Sequence, residues 1–240
     1  MCYSVSNTKS QKEAEGLTKA KWKASIPYKP YFHLSAFNYP NLHIQSLAEP
    51  QYIATATWGL IPEWASSDMA SFIKKYHTFN ARSEELFHSN VYADSLQTQR
   101  CLIWADGFFE PHHISKKSIP YYCYIPEKSN SQSRQLFAFA GLYSQIKEGQ
   151  LTCTIITTEA NDFFVEIHNL KKRMPLVLKS ELHASWLDPT LNNQQINALL
   201  KDGFTPKTFQ AHPVSSLLYQ PKVDTNIPSI LNEVKKGTLF

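Results

Sequence analysis

The residue with the most distinctive chemistry in this chain is Cys2, which directly follows Met1. Removal of Met1 leaves an N-terminal cysteine, in which an α-amine with a pKa of about 7.7 to 8.0 lies beside a thiol with a pKa of about 8.5. Such an aminothiol attacks an aldehyde through nitrogen to give a Schiff base and then closes through sulfur to a thiazolidine. Any residue can follow an initiator methionine, so an ordinary cysteine without a function is the alternative.

A second candidate site is the segment Asn80-Ala81-Arg82-Ser83-Glu84, which lies between Phe79 and a predicted helix. Asn80 and Arg82 are therefore at an element boundary, where functional residues gather. The alternative is structural, because Ser83 or Asn80 can cap the helix that follows.

A third candidate is the segment Ala105-Asp106-Gly107-Phe108-Phe109-Glu110. The Asp-Gly pair predicts a tight turn. Glu110 lies in apolar surroundings, which raise the pKa of a carboxyl group. Such a group is either a proton shuttle or the partner of a structural ion pair, and the sequence leaves both open.

A histidine and three cations precede a strand-like run in Ile167-His168-Asn169-Leu170-Lys171-Lys172-Arg173-Met174-Pro175. We expect His168 to titrate near neutral pH and to exchange protons with a substrate. A lone histidine is usually structural or solvated, but the neighbouring Lys171, Lys172 and Arg173 favour an anionic substrate. The segment from Trp58 to Trp64 is aromatic-rich and typical of core packing; where exposed, it offers a surface on which bases stack.

The composition favours a folded protein without a cofactor. The chain has 240 residues, 42% of them hydrophobic, and 24 Lys and Arg against 20 Asp and Glu give a net charge of +4, which permits an acidic partner without requiring one. With seven glycines and neither GxGxxG nor GxxxxGK[ST], a phosphate-cradling loop is not expected. The cysteines form no CxxC pair and His112-His113 lacks partners at ligand spacing, so we expect no metal.

Cysteine usage and hydropathy predict a cytoplasmic protein. Cys101, Cys123 and Cys153 lie in apolar, strand-like contexts and are interpreted as buried, reduced thiols. No apolar run approaches the roughly 18 residues of a spanning helix, and the first residues lack the apolar stretch of a signal peptide. We expect a monomer that does not bind membranes.

Short β-rich runs and few helical patterns predict an α+β fold: a curled, barrel-like and mostly antiparallel sheet with peripheral helices, in one domain over residues 1–240. The predicted strands are 51–58, 101–104, 120–125, 136–143, 151–157 and 175–178. The predicted helices are 84–98, 180–187 and 192–200.

Taken together and in order, the segments around Cys2, Trp58, Asn80, Glu110 and His168, with Ala140-Gly141-Leu142, resemble the SRAP domain family, named for association with the SOS response. The resemblance covers nearly the whole chain. It implies a sensor of abasic sites in single-stranded DNA, acting at damaged DNA in the nucleoid, which forms a thiazolidine cross-link between its N-terminal cysteine and the ring-opened sugar.

The resemblance also implies a role for each matching residue. Cys2 is the nucleophile, Asn80 holds the N-terminal residue and the sugar, and Glu110 and His168 move protons. The remaining residues bind DNA: Arg82, Arg173, Lys171, Lys172 and Trp64. Guanidinium groups bind phosphates bidentately, and an abasic nucleotide has no base to unstack, which favours its entry into a pocket.

This chain departs from the family's pattern near the nucleophile and in two loops. Tyr3-Ser4 replaces a Gly-Arg pair, so an arginine is missing beside Cys2, and Lys9 or Lys19 can compensate. The loop from His168 to Pro175 is longer than the family's and more basic, and the segment 31–37 replaces the family's Tyr-Asn-x-Ala-Pro. Two other functions stay open: a thiol autopeptidase that releases Met1, and a noncatalytic single-strand-binding module.

Overall fold

The computed structural model describes residues 2–115, 117–127, 133–146, 149–202, 209–220 and 222–234. Most regular residues in this part of the chain belong to strands, which form two sheets. The strands are β1 Ser4–Asn7, β2 Lys21–Trp22, β3 Tyr31–Ser35, β4 Asn41–Ser46, β5 Tyr52–Trp58, β6 Asn80–Arg82, β7 Arg100–Ala105, β8 Gly107–Ile114, β9 Lys117–Tyr124, β10 Phe137–Gln145, β11 Leu151–Glu159, β12 Arg173–Pro175, β13 Val177–Leu178 and β14 Gln210–Pro213. The helices are α1 Gln11–Thr18, α2 Met69–Lys75, α3 Ala93–Thr98, α4 Asp162–Ile167, α5 His183–Trp186 and α6 Asn193–Asp202.

The larger sheet curls until it meets itself. Its strand order is β12-β11-β10-β7-β4-β5-β2, with β13 on β10 and β6 on β11. Because β5 also pairs with β11, through Thr57 opposite Thr152 and Trp58 opposite Cys153, the strands from β11 to β5 return on themselves as a ring. Apart from the pairs that β5 makes with β2 and β11 and the pair of β6 with β11, the pairings are antiparallel. The predicted curled, mostly antiparallel α+β fold is confirmed.

The smaller sheet has the order β14-β9-β8-β1-β3 and carries the N-terminal strand in its interior. The chain enters it at Asp106, directly after β7 of the larger sheet. The chain bends at Asp106, as the Asp-Gly pair predicted, but the bend joins strands of different sheets and does not form a hairpin. Gly107 is required for a different reason: a Cβ at this position would collide with the ring of Tyr122. The buried Asp106 carboxylate accepts hydrogen bonds from Ser6 and Thr8 and so ties this crossing to β1.

The local structure departs from the sequence prediction at three elements. The predicted helix 84–98 is broken into a 3-10 turn, Ser83–His88, and α3, since the Ser89 hydroxyl accepts the N–H of Val91 at 3.2 Å and competes with helical bonding. The predicted helix 180–187 is likewise a 3-10 turn followed by α5. The predicted strand 175–178 is split into β12 and β13. The predicted helix 192–200 corresponds to α6.

Apolar side chains from both sheets form the core, and the aromatic segment after β5 is divided between core and surface. Trp58 is fully buried and donates its indole N–H to the carbonyl of Phe79 at 2.8 Å. Cys101, Cys123 and Cys153 are buried free thiols, as predicted. Within the described residues, no helix has both the length and the apolar character needed to cross a bilayer.

Candidate active site

Cys2 is held inside the molecule by the strand that it precedes. β1 lies between β3 and β8, with Ser4 opposite Ser35 on one side and Phe109 on the other. The carbonyl of Tyr3 also accepts the N–H of Ala36 at 2.8 Å. The side chain of Cys2 is 0% exposed, and its thiol donates to the carbonyl of Ser4 at 3.7 Å. The fold therefore fixes the chain immediately after the proposed nucleophile.

Asn80 reaches Cys2 from the other sheet. It lies in β6, which runs parallel to β11 and places Asn80 opposite Ile155. Its Nδ2 donates to the Cys2 carbonyl at 2.9 Å, and its buried Oδ1 has no partner among the described residues. Neither Asn80 nor Ser83 caps a helix, because Arg82 occupies the N-cap position of the following 3-10 turn and makes no side-chain cap. The amide instead orients the N-terminal segment.

Glu110 lies on β8 and is 0% exposed. Burial raises the pKa of Glu110 to about 7, and the positive charge at the chain's N terminus opposes this rise. The sequence predicted this direction from the apolar neighbours, and it is confirmed. A carboxyl with this pKa is present in both protonation states near neutral pH, as a group that relays protons requires.

His168 follows α4 and is buried next to Glu110. Its Nδ1 lies 2.9 Å from the carbonyl oxygen of Arg173 and 3.5 Å from Oε2 of Glu110. Because a carbonyl only accepts, Nδ1 carries a hydrogen and the neutral ring keeps its lone pair on Nε2. Burial lowers the pKa of His168 to about 4. The predicted titration near neutral pH is therefore wrong, since desolvation disfavours the imidazolium.

The same burial determines the state of the nucleophilic sulfur. Desolvation, and then the nearby charge of Glu110, raise the pKa of the Cys2 thiol well above its usual value, while the chain terminus partly offsets them. The thiol of the free protein is therefore protonated at neutral pH. Reactive thiolates are usually partly exposed, whereas this sulfur is fully buried next to a carboxyl group.

Four of the five predicted DNA-binding side chains line one cleft beside this centre. The cleft has a volume of about 770 Å³ and also includes Tyr3 and His168. We call it the basic cleft, after the cations that line it: Arg82, Lys171, Lys172 and Arg173. Arg82 and both lysines are exposed. The structure thus brings a positive surface to the group formed by the buried Cys2, Glu110 and His168 and the half-buried Asn80.

Arg173 differs from Arg82 in how firmly it is paired, because Arg82 makes one exposed contact with Glu85 at 3.3 Å whereas Arg173 is held by both oxygens of a carboxylate. Its Nη1 and Nη2 donate to the two carboxylate oxygens of Glu84 at 2.8 and 3.1 Å, and Nη2 also donates to the carbonyl of Thr157 at 2.8 Å. Partial burial raises the pKa of Glu84, but the hydrogen bond and charge of Arg173 outweigh it and hold that pKa below its usual value. A phosphate must displace Glu84 before it can bind Arg173 bidentately.

Trp64, the fifth predicted DNA-binding residue, lies elsewhere. Its side chain is 58% exposed and donates its indole N–H to the carbonyl of Asn90 at 3.3 Å. It lines a separate cleft with Pro62 and Val91. Neither cation suggested as a replacement for the missing arginine lines the basic cleft: Lys9 is buried in an ion pair with Glu127 at 2.9 Å, and Lys19 ends α1.

Two residues of the site were missed by sequence reasoning. Tyr3 lines the basic cleft and packs edge-on against Phe79, with ring centroids 6.3 Å apart. Its position next to Cys2 was the available signal. Glu84 was named only as part of a motif, and its pairing with Arg173, 89 positions along the chain, has no local signature.

The sequence and the fold of this chain are similar to those of known proteins. Residues 1–221 match the family described as SOS response associated peptidase (SRAP). A Bacillus subtilis protein, abasic site processing protein YoqW, is 35% identical over 178 residues, which cover 72% of this chain and 73% of that protein. The Escherichia coli protein YedK, also named an abasic site processing protein, is 24% identical over 220 residues, covering 90% and 92%. A crystal structure of a Bacteroides thetaiotaomicron protein superposes with a TM-score of 0.83 and 27% identity, covering 98% of this chain and 100% of that one.

Proposed function

Because this chain belongs to the SOS response associated peptidase family, we propose that it processes abasic sites in single-stranded DNA by forming a covalent thiazolidine through Cys2. The names of its curated relatives support the abasic site as the substrate. One observation carries the proposed chemistry: the fold gathers the buried side chains of Cys2, Glu110 and His168, with the half-buried Asn80, from distant segments into one group. The adduct shields the lesion during the response to DNA damage.

The reaction needs no oxidant or reductant. Hydrolysis of the Met1–Cys2 peptide bond consumes one water and frees the Cys2 amine. The amine nitrogen attacks the aldehyde carbon of the ring-opened sugar, and loss of one water gives an imine. The sulfur then bonds to the imine carbon while the thiol proton passes to nitrogen, which closes the thiazolidine.

The electrostatics of the site support this order of steps. The thiol is protonated in the free protein because burial and Glu110 raise its pKa, so the amine is the first nucleophile. Glu110, with a pKa of about 7, accepts a proton from the attacking amine and returns it to the departing hydroxyl group. Asn80 holds the Cys2 carbonyl at 2.9 Å and thereby limits the directions from which the amine can approach.

His168 acts on the sugar. Its neutral ring donates through Nδ1 to the Arg173 carbonyl, so Nε2 is available to move a proton. When the sugar ring opens, Nε2 accepts the proton of the C1 hydroxyl as the C1–O4′ bond breaks and delivers it to O4′, and ring closure reverses the transfer. The same group therefore serves both formation and reversal of the adduct.

The basic cleft supplies the attraction for the strand. Exposed cations that neutralise phosphates raise the affinity for any single strand and give no preference for sequence. Selectivity for the lesion comes from the buried group, because only a nucleotide without a base presents an aldehyde there. Duplex DNA is expected to react less than single-stranded DNA.

The test is incubation with a single-stranded oligonucleotide that carries one abasic site, followed by denaturing electrophoresis and intact-mass spectrometry. We expect loss of Met1 and an adduct at Cys2 that survives denaturation. Cys2→Ala keeps the amine but lacks the thiol, so only a labile imine forms, while Cys101→Ala, a buried thiol outside the proposed group, retains the stable adduct.

Three results separate the proposal from its alternatives. An equal yield of stable adduct from Cys2→Ala contradicts the thiazolidine. Loss of Met1 with no adduct on any abasic oligonucleotide supports an autopeptidase instead. Binding by a protein that retains Met1, with no adduct, supports a noncatalytic single-strand-binding module.

A further inference from the structure

A second cleft lies on the other side of Tyr3. It has a volume of about 600 Å³ and shares Tyr3 and Pro111 with the basic cleft. We call it the aromatic cleft and define it by the residues used below: Tyr3, His33, Phe37, Ser118, Tyr219 and Lys222. Its wall from Leu218 onward belongs to the C-terminal segment, and the side chain of Asn226 fastens that segment to β3 by accepting the N–H groups of Phe32 and His33 at 2.7 and 3.3 Å.

A buried polar atom lies in the wall of the aromatic cleft. His33 is 6% exposed, and its Nδ1 is paired with the hydroxyl of Thr225 at 2.6 Å. Its Nε2 is buried and has no partner among the described residues. Burial lowers the pKa of His33 to about 4, so the ring is neutral and Nε2 is a directional hydrogen-bonding group. A buried polar group without a partner is costly, and a ligand that pairs with it removes that cost.

Two aromatic rings that line the aromatic cleft are exposed to solvent. Phe37 is 63% exposed and Tyr219 is 45% exposed. Phe37 contacts the ring of Tyr3 with centroids 5.1 Å apart, so the exposed ring continues an aromatic surface that begins one residue after Cys2. Lys222 adds a cation at the same cleft.

Two tyrosines of the aromatic cleft lie close enough to the proposed reaction centre for the charge of Glu110 to affect their pKa values. Burial, followed by the charge of Glu110, raises the pKa of Tyr3. Burial raises the pKa of Tyr219 as well, the hydrogen bond with Ser118 lowers it, and the charge of Glu110 adds to the rise. Both hydroxyl groups are therefore close enough to Glu110 to be affected by its charge.

We propose that the aromatic cleft binds the unpaired base of the nucleotide next to the abasic nucleotide, a role that rests on the proposed function. A nucleobase has two apolar faces and a polar edge. Phe37 and Tyr219 provide the stacking surface, His33 Nε2 provides a partner for the edge, and Lys222 attracts the phosphate. The shared wall of Tyr3 and Pro111 allows one strand to occupy the aromatic cleft and the basic cleft together.

The test separates base binding from covalent chemistry. Single-stranded oligonucleotides carry a tetrahydrofuran analogue, which has no aldehyde, at the lesion position. A spacer without a base replaces the nucleotide on its 5′ side, on its 3′ side, or on neither. Fluorescence anisotropy measures the affinity of the unmodified protein and of His33→Ala, Phe37→Ala and Tyr76→Leu.

We expect one of the two spacers to weaken binding to the unmodified protein by about tenfold, the usual effect of one lost stacking contact. In His33→Ala and Phe37→Ala the same spacer should cost less than about twofold, because the base no longer has its partner. Tyr76 is a partly exposed ring that lines neither cleft, so Tyr76→Leu should keep the full effect. Because Phe37 is largely exposed, Phe37→Ala should fold normally, and a weaker spacer effect in this variant then reports a lost contact with the base. Thermal melting checks that each variant is folded.

Affinities that are insensitive to both spacers, or a spacer effect of equal size in the unmodified protein, His33→Ala and Phe37→Ala, would overturn the base site. The parallel reaction with an aldehyde-bearing oligonucleotide distinguishes the two proposals. A spacer effect without any covalent adduct refutes the cross-linking function and leaves the base site in place. An adduct without a spacer effect refutes the base site alone.

Discussion

The buried centre, formed by Cys2, Glu110 and His168, and the basic cleft are neighbours with opposite physical environments. Cys2 and Glu110 are each 0% exposed, and desolvation shifts the pKa of both groups. In the basic cleft, the side chain of Arg82 is 54% exposed and its ion pair with Glu85 is long, at 3.3 Å. Burial sets protonation states in the first region, whereas solvent and salt screen the charges in the second. Changes in the buried centre should therefore alter rates and pH dependence, and changes in the cleft should alter salt dependence.

The largest expected effect concerns stability at the buried centre. The folded-state pKa of Glu110 is about 7, above the roughly 4.3 of an unfolded glutamate. Between these values the folded state binds more protons, so the free energy of unfolding decreases as pH rises, by about 4 kcal/mol in total. Glu110→Gln has no carboxyl proton to lose, so its free energy of unfolding should not decrease in this way. Denaturant titration should show that the variant is more stable than the unmodified protein at pH 8 and similar to it at pH 4. Equal stabilities at pH 8 would mean that burial of this carboxyl has no cost.

Glu110→Gln should also slow adduct formation about a hundredfold, because it keeps the shape of the side chain and removes its titratable proton. The unmodified protein should react faster as pH rises through about 7, where the carboxylate forms and accepts the amine proton. The variant should lack the inflection that belongs to Glu110 and keep only the rise that belongs to deprotonation of the Cys2 amine, whose reference pKa is about 8. Single-turnover rates between pH 5 and pH 9, with melting checks at each pH, test both statements, and an unchanged rate would make Glu110 a structural residue.

His168→Asn should have a smaller effect, about tenfold, on both formation and reversal. Asparagine keeps an N–H that can donate to the Arg173 carbonyl, but it lacks a counterpart of Nε2. An adduct formed slowly by this variant should therefore persist longer than the unmodified adduct. His168→Ala, which loses both nitrogens, is the comparison, and a variant that slows formation alone would place His168 outside the reverse reaction.

The smallest expected effect is in the basic cleft. If Arg82 neutralises one phosphate, Arg82→Ala should flatten the log–log salt dependence of single-strand binding by about 0.7. Arg173→Ala should change this slope less, because Glu84 already neutralises that guanidinium, and it should lower the melting temperature instead. Glu84→Gln should steepen the slope by releasing Arg173. Anisotropy titrations from low to moderate salt measure the slopes of all three variants. Equal slopes would refute the difference between the weakly paired Arg82 and the firmly paired Arg173.

These expectations show which parts of the site followed from sequence. The chemistry of an N-terminal aminothiol depends on covalent structure alone, so the position of Cys2 in the sequence was enough to predict thiazolidine formation. The strands were predicted because alternation and β-branched content are local properties, and the raised pKa of Glu110 followed from the apolar residues that flank it. The break in the predicted helix 84–98 was missed: Ser89 has an extended backbone there, and its hydroxyl accepts the N–H of Val91.

Tertiary structure decided what each polar group faces. Sequence predicted a histidine that titrates near neutral pH, but burial beside Glu110 keeps His168 neutral, with its tautomer fixed by a carbonyl. Arg173 is paired with Glu84, and Asn80 holds the carbonyl of Cys2 in place of capping a helix. These partners are far apart along the chain and come together only through sheet register. Residue type therefore determined which reactions were available, whereas desolvation and contacts between sheets determined the protonation state and orientation of each group.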